Sequence, residues 1–118
     1  MYKIRTCELY FMEDMGDALY NLIARMHVYE NYAGDISILK NIYLSESVKA
    51  ELYDGLNVKA IFDTPDMGTK NKLELYLAHL VYKNGYTFYH LRDMLFPIME
   101  SINIYKYIKL YEDAATCP

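Results

Sequence analysis

Between Leu73 and Leu95 the apolar residues recur every three or four positions, and the recurrence is broken once, at Asn84-Gly85-Tyr86-Thr87. That spacing predicts two helices joined by a tight turn. Leu73, Tyr76, Leu77, Leu80 and Val81 form the stripe of the first helix. Gly85 stands where the chain must reverse, and Thr87 suits the N-cap of the second helix, predicted over Thr87–Phe96. There Leu91, Met94 and Leu95 face inward, and Pro97 ends or kinks the helix.

A helical hairpin of this kind can read DNA, so the groups on its second helix matter. Base-edge recognition needs Arg, Lys, Asn or Gln directed into the groove. TFYHLRDMLF offers Arg92 and His90, with Asp93 beside them, and there are no basic flanks to meet phosphates. The exposed tip is expected to carry Tyr86, Tyr89, His90 and Arg92, which suit a protein partner better than a phosphate backbone.

Two further helices are legible upstream. One opens at Asp14 or Asp17 and carries Leu19, Leu22, Ile23, Met26, Tyr29 and Ala33 to a stop at Gly34. A competing seam of Leu9, Met12, Gly16, Leu19, Ile23 and Met26 would start that helix earlier. Ser45 is a plausible cap for ESVKAELYD, with Gly55 beyond its end. ISILKNIYL fits a short helix or a strand, and Asp35 could cap it. LNVKAIFD reads as a short strand. Thr64, Pro65 and Asp66 form a helix-start signal, with Thr69 the alternative cap.

The chain ends are ambiguous. Tyr2–Phe11 alternates weakly with β-tolerant Ile4, Thr6 and Tyr10, and INIYKYIKLY is rich in β-branched and aromatic residues. Read as paired strands, the two ends give an α+β fold: one mostly helical domain over residues 1–118 with a small sheet from the N- and C-terminal segments. The alternative is an all-helical bundle. In the sheet reading Lys3, Arg5, Tyr105, Tyr107, Lys109 and Tyr111 would share one face. Rings among basic groups can stack single-stranded bases, or equally bind protein.

Catalytic signatures are missing from the sequence. There is no GxGxxG, GxxxxGK[ST], GxSxG or HExxH, so no cofactor, no metal and no enzymatic activity are expected. His27, His79 and His90 fall on separate helices, although His79 and His90 flank the hairpin turn. Glu13, Asp14, Asp17, Asp63 and Asp66 fit helix capping and solvation. Cys7 and Cys117 have neither redox nor zinc spacing and read as reduced thiols, with pairing open if the chain ends are neighbours.

The 118 residues are 53% apolar and 24% charged, an ordinary globular balance, with no apolar run long enough for a membrane span or a leader. Net charge is −4. Residues 1–68 hold 6 basic and 11 acidic groups, whereas residues 69–118 hold 6 and 5. An acidic chain repels nucleic acid and is drawn to basic protein surfaces. The 14 tyrosines with no tryptophan fit both an AT-rich genome and a protein-binding surface. Together these readings predict a cytoplasmic, non-enzymatic protein-interaction domain whose partner presents a basic surface, with room for a homodimer. A small acidic inhibitor encoded by a virus or phage, acting on a host protein as anti-CRISPR factors do, is its concrete form. The alternative is a nucleic-acid-binding or regulatory protein that uses the hairpin 73–96 or the Tyr/Lys face.

Overall fold

Met12, Gly16, Tyr20, Ile23, Ala24, His27 and Val28 recur at helical spacing, and burying them together requires one continuous helix. The chain forms that helix. A computed structural model describes residues 6–32, 36–56 and 69–116, and among these are six helices and no strand. They are α1 (Thr6–Asn31), α2 (Ile36–Tyr43), α3 (Glu46–Gly55), α4 (Thr69–Asn84), α5 (Phe88–Ser101) and α6 (Ile104–Thr116).

The architecture is therefore all-helical, which overturns the α+β expectation. The segment ending at Phe11 was expected to be a strand, but from Thr6 it is the first part of α1. The segment 102–111 is helical from Ile104. The reason is burial. Ile104 and Tyr107 lie three residues apart and both enter the core, with Ile108 half-buried beside them. A strand would place Ile104 and Tyr107 on opposite faces. Strand preferences span only about 1 kcal/mol and yield to packing of this kind. ISILKNIYL likewise resolves as helix α2. The expected strand LNVKAIFD, the signals at Asp35 and Thr64–Asp66, and the side chains of Cys7 and Cys117 lie outside the described residues.

The longest contact is between α1 and α4. It brings the backbones into near-contact at Gly16, where an added Cβ would sit 1.9 Å from the carbonyl oxygen of Glu74. Helix α4 is covered on a second side by α3, so Leu73 and Leu77 are buried on one side of it and Leu75 and Ala78 on another. Tyr20, Ile23, Leu52, Leu77, Leu91 and Leu95 are among the side chains of one shared core.

The hairpin expected around Gly85 is present. Gly85 adopts φ +71°, and beyond it the Tyr86 N–H donates back to the Leu80 carbonyl at 3.0 Å. Thr87 caps α5: its hydroxyl accepts from the His90 N–H at 3.3 Å, while His90 Nδ1 accepts from the Thr87 N–H at 3.0 Å. A histidine thus fills the place usually taken by Glu or Gln in a capping box. Pro97 does not end α5, which continues to Ser101. Ser45 caps α3 by accepting from the Val48 N–H.

Candidate protein-interaction surface

At the apex of the α4–α5 hairpin, Tyr86, Tyr89 and His90 are exposed and Arg92 is partly so. They are tied to one another locally. The Tyr86 and His90 rings meet edge-on with centroids 5.5 Å apart. The Arg92 guanidinium lies 5.0 Å from the centre of the Tyr89 ring, and its Nη2 contacts Asp93 at 3.2 Å. The capping bonds hold the His90 ring against the first turn of α5. These contacts limit the rotamers of an aromatic tip, with the Arg92 charge paired to Asp93, before any partner arrives, which lowers the entropic cost of binding.

Residues 105 to 111 do not make the second surface that a sheet would have given. On a helix, positions 105 and 107 point about 200° apart. Tyr105 is 79% exposed, while Tyr107 is 9% exposed and packs inward. The Tyr107 hydroxyl donates to the Glu51 carboxylate on α3, and Lys106 reaches the same carboxylate at 3.4 Å. Burial, reinforced by that contact with Glu51, holds the Tyr107 phenol above its ordinary value, pushed up to about 12. Lys109 is exposed one turn beyond Tyr105, and Tyr111 follows in the same helix. Tyr107 is therefore a docking residue of the fold, and only Tyr105 and Lys109 of this group have described side chains open to a partner.

Behind the hairpin is a buried polar cluster that the sequence does not announce. His27 Nε2 and the Tyr32 hydroxyl lie 3.2 Å and 3.0 Å from the Tyr43 hydroxyl, which donates to the Met99 carbonyl at 3.4 Å. The Tyr20 hydroxyl donates to the Tyr43 carbonyl. The Asn31 amide contacts His27 Nδ1 at 3.2 Å, which assigns the proton of the neutral ring to Nε2. Burial holds His27 below its ordinary value of 6.5 against the opposing pull of Glu100 and Glu30. Burial likewise pushes the Tyr20 and Tyr43 phenols up. Each of these polar groups has a partner inside the core. This cluster joins α1, α2 and α5 rather than presenting a reactive group.

A second buried set joins α1, α3 and α4. Lys49 Nζ meets Glu74 Oε1 at 2.7 Å, with Asp17 at 3.9 Å and the Tyr20 ring centre at 5.4 Å. Among the described residues no group of three His, Cys, Asp or Glu side chains is arranged to hold a metal ion. Nor is any helix there long and apolar enough to cross a membrane.

The surface aromatics that sequence reasoning missed lie on α1. Phe11 is exposed and meets Tyr82 of α4 edge-on, with ring centroids 5.3 Å apart. Leu22 and Tyr29, expected to face the core, point outward instead. The available signal was the three- and four-residue spacing of Phe11, Met15, Ala18 and Leu22, which marks a second apolar stripe on a helix that already has one.

Compared with protein-family profiles, with curated proteins and with solved structures, the chain shows no significant match.

Proposed function

We propose that the chain acts by binding another protein rather than by catalysis, with the α4–α5 hairpin tip as its anchor. The observation that carries this reading is the exposed and mutually braced set Tyr86, Tyr89, His90 and Arg92. Tyr and Arg are the residue types that most often dominate binding energy at protein interfaces, and bracing lowers the cost of ordering them. The net charge of −4 favours encounter with a partner whose surface is basic. A virus- or phage-encoded inhibitor that covers such a surface on a host protein is the concrete form of this proposal.

The test is affinity capture from cells of the source organism or its host, with the wild-type chain and a Tyr86→Ser/Tyr89→Ser variant as parallel baits. The proposal expects a protein retained by the wild type and depleted about tenfold or more on the variant, as the loss of one interface hot spot would give. Equal recovery on both baits would overturn the hairpin tip as the anchor. Retardation of DNA or RNA by the purified chain at low salt would favour nucleic-acid binding instead.

A further inference from the structure

Helix α1 has more apolar surface than its core contacts use. Opposite the face formed by Met12, Gly16, Tyr20 and Ile23 runs a second stripe: Phe11, Ala18, Leu22 and Tyr29, with Met15 and Met26 along one edge. Leu22 is 50% exposed and Tyr29 is 77% exposed. The intervals within it are those of a coiled-coil seam, and the stripe extends roughly 27 Å along the helix. Two open concavities flank it. One is lined by Phe11, Asp14, Met15, Ala18, Leu19 and Leu22, the other by Arg25, Met26, Tyr29, Glu30 and Lys40.

We infer that this face is a homodimer interface in which α1 packs antiparallel on α1 of a second copy. The argument is self-complementarity. Place a twofold axis level with residue 20 and perpendicular to the plane of the two helices. Phe11 then lies level with Tyr29 of the second copy, and Ala18 lies level with Leu22. A large side chain meets the concavity beside Phe11, and a small residue receives a leucine across the axis.

The flanks match as well. At about 100° per residue, Asp14 and Arg25 lie on one edge of the stripe, and Met15 and Met26 lie on the other. An axis of this kind keeps each edge on its own side. Asp14 therefore faces Arg25 of the second copy, within one residue's rise, and Met15 faces Met26. Both contacts occur twice by symmetry. Arg25 is already laid along its edge by a bond from Nε to Asn21 Oδ1 at 2.6 Å. A parallel arrangement would instead exchange the edges, setting Asp14 and Arg25 of each copy against the Met15 and Met26 edge of the other, with no charge pairing between copies.

A single helix pair lies at the low end of the roughly 1,200–2,000 Å² that specific interfaces bury, so the dimer is concentration-dependent. The experiment is sedimentation equilibrium over a concentration series. The wild type should move from 13.9 kDa towards twice that mass. Leu22→Glu, at a position outside the core, should abolish the shift with the helical circular dichroism unchanged. Asp14→Arg should raise the dimer Kd roughly threefold to tenfold, because two rim ion pairs become repulsive. Adding Arg25→Asp in the same chain should restore it. Failure of that rescue, a dimer that Leu22→Glu leaves intact, or a chain that stays at 13.9 kDa up to about millimolar concentration would each overturn the inference. The hairpin tip lies outside this seam, so loss of dimerisation would leave the capture experiment above unaffected.

Discussion

Gly16 stands where two backbones nearly touch. A methyl group there would lie 1.9 Å from the Glu74 oxygen and 2.4 Å from its carbonyl carbon, and neither atom belongs to a side chain that can rotate away. Gly16→Ala is expected to lower stability by about 3 kcal/mol, measured by urea unfolding, because α1 and α4 must separate. Next to it, Lys49 and Glu74 are each 7% exposed and paired. Lys49→Met alone should cost about 3–5 kcal/mol by leaving a carboxylate buried and unpaired, whereas Lys49→Met with Glu74→Leu should cost little. Thermal unfolding of the two variants separates these outcomes.

His27 gives the molecule an acid sensitivity whose sign is fixed by its burial. Its native value is lowered, chiefly by desolvation, from 6.5. The unfolded chain takes up this proton first. The stability contributed by neutral His27 is full above about pH 6.5 and falls as pH drops towards the lowered native value. His79, lowered by burial and by Lys83, acts in the same direction. The melting temperature should fall between about pH 7 and pH 5, and His27→Gln should flatten part of that slope.

At the scale of elements, caps and turns were readable because each rests on one or two residues. Gly85 and Thr87 mark the hairpin, and Ser45 marks the start of α3. Thr87→Ala should destabilise the chain by about 1 kcal/mol, with the loss in amide protection concentrated in the first turn of α5. The terminal helices were not readable in the same way. Ile and Tyr in 104–110 favour a strand locally, and the helix wins because Ile104 and Tyr107 bury together against α2 and α3. Pro97 lies inside α5 between the buried Leu95 and Met99, and the helix continues past it to Ser101. In α1 the difficulty was an excess of apolar residues. Two stripes overlap, and only the position of α4 shows which is covered.

At the scale of the whole molecule, the tyrosines with described side chains include two contrasting groups. Tyr20, Tyr43, Tyr53 and Tyr107 are buried, and their rings bring hydroxyls that must be satisfied inside the core. Tyr29, Tyr82, Tyr86, Tyr89 and Tyr105 are exposed. Composition alone does not separate these groups, and the sheet expectation misassigned Tyr107 for that reason. The candidate surface was legible at the hairpin, where it follows from local turn chemistry. It was not legible on α1, where it follows from tertiary cover.

The all-helical architecture, and with it the α1 face and the outward position of Tyr105, rests on one claim: that the described segments near the chain ends are helical. Backbone chemical shifts from nuclear magnetic resonance measure this residue by residue. The account predicts continuous helical Cα shifts from Thr6 to Asn31 and from Ile104 to Leu110. Extended shifts over 6–11 and 104–110, with cross-strand contacts between them, would contradict it.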